Sequence, residues 1–163
     1  MKRMPAAIGE TLWLFLPAGV ANMTPVFLTR LCGPGVPVSP RLFGDHKSWR
    51  GLIAGTAAGT GCFLLQRRID HRHLPLRAGV AMSGGALIGD LIKSFAKRRL
   101  GIQAGSTWVP FDQVDYIAGA IAGTRAAIPL PPRQMALAAG SFVLLHFAVS
   151  SIGYALGIKE KAL

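Results

Sequence analysis

Residues 135–158 read MALAAGSFVLLHFAVSSIGYALGI, 24 positions without a formal charge. At about 1.5 Å of rise per residue, a helix of that length crosses the roughly 30 Å hydrocarbon layer of a bilayer. Four earlier apolar stretches lie at 8–31, 51–65, 76–92 and 114–130. The second and third are short, so neighbouring helices or a thinned bilayer must support them. The pattern predicts an all-α fold: a polytopic membrane protein with about five transmembrane helices, forming one integral-membrane domain over 1–163. The first stretch contains Pro17 and Pro25 with Asn22 between them, which predicts a kinked or broken helix. Such breaks survive in a membrane where the freed backbone groups face protein or a polar cavity.

Composition agrees. Hydrophobic residues make up 51% of the chain, yet the net charge is +11. Together these imply apolar blocks joined by basic loops. Nucleic-acid binding would call for a polar domain with exposed Lys and Arg, and the apolar blocks exclude it. Attraction to anionic membrane lipids accounts for part of the charge, and phosphorylated substrates are the sharper alternative. The two cysteines, Cys32 and Cys62, belong to no motif and read as reduced, structural thiols. Lys2 and Arg3 ahead of residues 12–21 imitate a signal peptide, but the apolar run continues and further spans follow, so a retained first span is expected.

Glycine spacing adds packing information. Gly51, Gly55 and Gly59 recur every four residues and lay a smooth stripe on one helix face. The stripe suits packing within the chain, with a homodimer contact as the alternative. Ser83, Gly84, Gly85 and Gly89 thin the third helix in the same way. With the amino terminus outside, ten Lys and Arg fall on the cytosolic side and eight on the other. This margin favours a multi-pass arrangement in the cell membrane with the first and third loops facing the cytosol. Five spans put those two loops and the tail on one face, where a site could draw on both loops.

Only seven acidic residues exist, so each carboxylate is informative. In Gly89-Asp90-Leu91-Ile92-Lys93-Ser94-Phe95-Ala96-Lys97-Arg98-Arg99, a helix puts Asp90, Lys93 and Lys97 on one face. An aspartate at the end of an apolar span is costly; it either pairs with Lys93 or binds an ion in a polar cavity. In Trp108-Val109-Pro110-Phe111-Asp112-Gln113-Val114-Asp115-Tyr116, Asp112 and Asp115 share the face of a starting helix. Asp112 could be a simple cap, but Asp115 already lies inside the fourth span. Three carboxylates at one level repel unless a basic group or a divalent cation neutralises them, and an oxygen-only donor set suits Mg²⁺. Lys93, Lys97, Arg98 and Arg99 could then hold phosphate oxygens.

The stretch 41–51, Arg-Leu-Phe-Gly-Asp-His-Lys-Ser-Trp-Arg-Gly, reads by itself as an aromatic and basic interfacial anchor. It holds no Walker A spacing and no complete G-x-G-x-x-G. His71-Arg72-His73 lacks acidic or cysteine partners and reads as a solvated loop. His146 suits helix packing, and Arg125 either snorkels to the outer interface or reaches a lipid phosphate.

Taken in order, Ala21-Asn22-Met23-Thr24-Pro25, Leu42-Phe43-Gly44 with Lys47-Ser48-Trp49-Arg50-Gly51, Gly89-Asp90 through Arg99, and Pro110 through Tyr116 with Gly119 resemble the CDP-archaeol synthase family. These are membrane relatives of the CTP:phosphatidate cytidylyltransferases. The resemblance covers about residues 21–119, and the five-span layout also fits. It implies that CTP and a lipid phosphate give a CDP-lipid and pyrophosphate, with Mg²⁺, at a site facing the cytosol. The implied lipid is 2,3-bis-O-(geranylgeranyl)-sn-glycerol 1-phosphate or a related ether lipid, with a diacyl phosphatidate as the alternative. The resemblance further implies metal roles for Asp90, Asp112 and Asp115, and phosphate binding by Lys93, Lys97 and Arg98. Asn22, Lys47 and Arg50 become nucleotide contacts. Ser48 stands where threonine is expected in many relatives, which keeps the hydroxyl. Asp45-His46 carries no assignable role. Two competing classes remain: a channel or transporter using the intramembrane acids, and a CDP-alcohol phosphotransferase, whose D-G-x-x-A-R signature is absent.

Overall fold

The computed structural model describes residues 4–70, 74–103, 106, 108–109 and 111–155, with the side chains of Gln113 and of 149–155 left aside. Lys2, Arg3, the His71-Arg72-His73 loop, Pro110 and the basic tail at Lys159 and Lys161 lie outside the described residues. The last apolar stretch, 135–158, also ends beyond them. The described residues form five long helices and one short one: α1 (Met4–Cys32), α2 (Pro40–Phe43), α3 (Trp49–Asp70), α4 (Leu76–Arg99), α5 (Phe111–Ala127) and α6 (Pro132–Ala155). Among them there is no strand, only an isolated bridge between Pro37 and Ser48. The all-α expectation therefore holds. Among the described residues, α1 is the one helix long and apolar enough to cross a membrane by itself.

The first helix was expected to kink or break, and it runs unbroken from Met4 to Cys32. A proline at position i leaves the carbonyl at i−4 without its helical donor. For Pro17 that carbonyl belongs to Trp13, and Gln66 of α3 donates its Nε2–H to it at 2.5 Å. For Pro25 it belongs to Ala21, whose oxygen faces Gly55: a Cβ built there would lie only 2.7 Å away. Neighbouring α3 thus supplies a donor for the carbonyl freed by Pro17, and at Pro25 it packs closely against the freed one.

Gly51, Gly55 and Gly59 are buried and face α1, as expected for packing within the chain. The α4–α5 seam is tighter still. Gly85 and Gly89 of α4 meet Gly119 and Gly123 of α5, and a Cβ on any of the four would run into the partner backbone. Both seams are antiparallel. They gather the end of α1, the start of α3, the end of α4 and the start of α5 at one end of the bundle. Behind them, Leu14, Phe15 and Ala18 of α1, Met82 and Ala86 of α4, Ile117 and Ala120 of α5, and Ala138 and Phe142 of α6 form one core. Phe142 receives Phe15 and Tyr116 edge-on, with ring centroids 6.5 and 6.2 Å away. Helix hydroxyls look inward: Thr124, fully buried, donates to Ala120 O at 2.7 Å.

Candidate active site

The close α4–α5 seam brings together carboxylates that lie far apart in sequence. Gly89 rests against the Asp115 carbonyl, so its neighbour Asp90 is carried to the level of Asp115. Lys93, on the same face of α4, then stands between three acids. Its Nζ lies 3.3 Å from Asp90 Oδ1, 3.2 Å from Asp112 Oδ1 and 2.5 Å from Asp115 Oδ2. Only 5% of the Asp115 side chain is exposed. A buried carboxylate is tolerated when a charged donor partners it, and here one ammonium serves three.

Lys97 sits one turn further along α4. Its Nζ donates to Ser106 O at 2.8 Å and lies 2.7 and 2.9 Å from the two Asp112 oxygens. These acceptors occupy the three N–H bonds of an ammonium. The Trp108 amide also donates to Asp112 Oδ2, at 2.6 Å. Lys97 and Asp112 thereby tie the α4–α5 connection to both of its helices. The turn out of α4 supports this: Gly101 takes a left-handed φ of 69°, and Ile102 N donates back to Lys97 O at 2.9 Å. Arg98 keeps a buried Nε without a hydrogen-bond partner among the described residues, while the Arg99 guanidinium lies over the Phe95 ring.

The other wall comes from the chain between α1 and α3. Val38 N donates to Lys47 O at 2.7 Å and Trp49 N to Val36 O at 3.1 Å, a short antiparallel pairing that fixes Lys47. Phe43 of α2 packs on Phe95 of α4 at 6.5 Å between centroids and holds this segment down. The Lys47 ammonium consequently reaches Asp90 Oδ2. The next residue, Ser48, accepts the Gly51 amide at 3.1 Å and starts α3. The stretch first read as an interfacial anchor thus delivers a lysine to the acidic cluster, and Trp49 remains exposed beside it.

Between these walls lies a cavity of about 400 Å³ whose lining includes Asn22, Val26, Arg30, His46, Lys47 and Asp90. Of the expected site residues, Asp90, Lys93, Asp112, Asp115, Lys97 and Lys47 form one connected charge network, and Asn22 shares the cavity with Lys47 and Asp90. Arg50 does not join them; its Nη2 donates to Gly33 O and clamps the end of α1. Two ionisable cavity residues carry no role from the sequence reading, Arg30 and His46. Spacing offered a signal for Arg30, since it follows Met23, Val26 and Phe27 on one helix face.

The donor set can be tested against Mg²⁺ from the residues themselves. Among the described residues, no three His, Cys, Asp or Glu side chains form a ready-made metal cage. What they form is a three-carboxylate shell around a cation, the Lys93 ammonium. Its donors are oxygens only, the chemistry that Mg²⁺ prefers. The donor type suits the ion, while the charge of the three carboxylates is already met by the Lys47, Lys93 and Lys97 ammonium groups, so an ion here would take the place of a lysine contact.

Known proteins resemble the chain along nearly its whole length. The CarS-like family model, described as CDP-archaeol synthase, matches residues 4–162. A CDP-archaeol synthase from Aeropyrum pernix is 40% identical over 156 residues, covering 93% of this chain and 90% of that protein. One from Methanosphaerula palustris is 34% identical over 168 residues, covering 85% and 98%. A solved structure, reported as an intramembrane enzyme for archaeal membrane lipid biosynthesis, superposes with a TM-score of 0.76 at 38% identity, covering 87% of this chain and 93% of the other.

Proposed function

The chain belongs to the CDP-archaeol synthase family, and from that premise we propose that it transfers the cytidylyl group of CTP to an isoprenyl-ether lipid phosphate, releasing pyrophosphate. The observation that carries the reading is the convergence of Asp90, Asp112 and Asp115 on one cation beside a cavity that also holds Lys47 and Asn22.

In this reaction a lipid phosphate oxygen forms a bond to the α-phosphorus of CTP, and the bond to the bridging β-phosphate oxygen breaks. The nucleophile is already an anion, so no strong general base is needed. The difficulty is bringing two anions together, and fixed positive charge relieves it. Lys47 supplies that charge at the cavity wall and Lys93 supplies it from the acidic cluster beyond Asp90, and each can exchange a carboxylate partner for a phosphate oxygen. Arg98, with its unpartnered Nε, adds a further donor, and Lys97 contributes its charge from behind Asp112. Asn22 offers an amide to the nucleotide, while Arg50 steadies the segment that carries Lys47. Asp90, Asp112 and Asp115 would hold Mg²⁺, which when bound would neutralise phosphate charge. Five helices crossing the cell membrane, with this end toward cytosolic CTP, complete the proposal.

The test is direct. The purified full chain is offered CTP with isoprenyl-ether and diacyl lipid phosphates side by side, with Mg²⁺ or with EDTA, and both CDP-lipids are measured. The ether CDP-lipid is expected, and only with Mg²⁺. Product from the diacyl lipid alone would overturn the substrate assignment, and turnover in EDTA would overturn the metal. Ion flux in proteoliposomes without any CDP-lipid would turn the reading toward a channel.

A further inference from the structure

A lipid phosphate has to reach the cavity from one side of the bundle. On α1, Met23, Val26, Phe27 and Arg30 follow at spacings of three, four and seven, so they form one stripe along the helix. Met23, Val26 and Phe27 are exposed to 48%, 46% and 56%, which leaves an apolar ramp on the outside of the bundle. Exposed apolar side chains occur elsewhere on this surface, for example Ile88 and Ile92 of α4. Two features set the α1 stripe apart. It runs into the cavity, because Met23, Val26 and Arg30 are also part of the cavity wall. It also ends in a guanidinium at the last turn of α1.

Charge at the cavity separates Arg30 from its neighbours. The Lys47 ammonium is paired with Asp90, and Arg50 points to a backbone carbonyl. Among the described residues, no carboxylate is paired with Arg30, so its five N–H donors remain for an incoming anion. A planar guanidinium above an apolar ramp matches a ligand with a phosphate head and hydrocarbon chains. A free nucleotide has no use for the ramp.

We propose that the Met23–Val26–Phe27–Arg30 stripe is the docking surface for the lipid phosphate, with its chains along the apolar side chains and its phosphate captured by Arg30 at the cavity mouth. This rests on the cytidylyltransferase reading and specifies the side from which its lipid enters. Capture acts on binding, so its signature is in KM for the lipid.

The experiment uses the full chain in mixed micelles, with CTP and lipid phosphate each varied at saturating levels of the other. Arg30→Gln is expected to raise KM for the lipid phosphate roughly tenfold and leave KM for CTP unchanged, with Arg30→Lys recovering part of the loss. Val26→Ser is expected to raise KM for a long-chain lipid phosphate more than for a short-chain one. Arg133→Gln, at the start of α6 on the opposite end, serves as control. A rise in KM for CTP with Arg30→Gln would assign the guanidinium to the nucleotide and overturn the proposal, as would unchanged lipid kinetics. Failure of the wild-type chain to make any CDP-lipid would sink the parent reading instead, so the two failures are distinguishable.

Discussion

Where α3 lies against α1, glycines meet a mixture of α1 carbonyls and side-chain atoms; where α4 lies against α5, glycines meet backbone alone. The first seam includes side-chain neighbours, such as Pro25 and Ser48 against Gly51, and opens at its end into the cavity. The second is backbone against backbone along Gly85, Gly89, Gly119 and Gly123, and ends in the cluster around Lys93. A rigid seam suits carboxylates that must be held together against their own repulsion. A seam with adjustable side chains suits the wall that admits substrates. On the proposed function, chemistry belongs to the α4–α5 side of the site and substrate entry to the α1–α3 side, and variants on either side can break that division.

The largest effect is expected at the acidic end. Asp90→Asn and Asp115→Asn should leave a folded membrane protein but lower CTP-dependent CDP-lipid formation on the order of 100- to 1000-fold, the scale of a lost electrostatic stabiliser. Turnover by the purified variants, beside their circular dichroism and gel-filtration profile, checks this. Wild-type rates in either would remove that residue from the site.

Next comes the seam itself. A Cβ on Gly119 would clash with Gly85 O and with the Gly89 backbone, and neither can rotate away. Gly119→Ala should therefore destabilise the protein by about 1–3 kcal/mol or more, as over-packing does. Activity should fall with it, because the same displacement separates Asp90 from Asp115. Unchanged denaturant unfolding in detergent would show that the seam yields.

The sequence made the rigid half more legible than the adjustable one. Apolar runs located all five long helices, but α4 continues past the apolar stretch to Arg99 and α5 starts ahead of its own at Phe111. Those extensions are charged and carry Lys93, Lys97 and Asp112, so hydropathy could not mark them, whereas Asp90 and Asp115 lie inside the apolar stretches themselves. The spacing of Asp90, Lys93 and Lys97 did foretell a shared face, and both lysines reach Asp112. The partnership of Lys47 with Asp90 was not readable, since it depends on the Val36–Trp49 pairing and on Phe43 packing against Phe95. That α1 stays helical across both prolines was not readable for a similar reason: the donor for Trp13 O comes from Gln66, on another helix.

Lys97 tests how far the rigid side reaches. Its three acceptors make it a positioning residue, tied to Ser106 O and both Asp112 oxygens. Lys97→Met should lower kcat roughly tenfold, about one charge-assisted hydrogen bond, while KM for CTP changes little. A large rise in KM for CTP at constant kcat would mean that Lys97 turns to the phosphates in the working enzyme, and the line between fixed and adjustable sides would move.

The smallest effect is expected at the mouth of the α1–α3 seam. A Cβ on Gly51 would lie 3.0 Å from Pro25 Cβ and 3.1 Å from Ser48 Oγ, so relief requires shifts of tenths of an ångström in side-chain atoms. Alanine also gains up to about 1 kcal/mol of helix propensity over glycine, which offsets that strain. Gly51→Ala should thus change stability by less than about 1 kcal/mol. Its trace should be kinetic, because Ser48 accepts the Gly51 amide and adjoins Lys47. One turn deeper the balance reverses: a Cβ on Gly55 would meet Ala21 O at 2.7 Å and Leu87 at 3.0 Å, and the carbonyl cannot move without disturbing the turn at Pro25. Gly55→Ala should therefore be clearly the less stable of the two in the same unfolding assay. Equal stabilities would mean that α3 slides as a unit along α1, and the cavity mouth would then have no adjustable wall of its own.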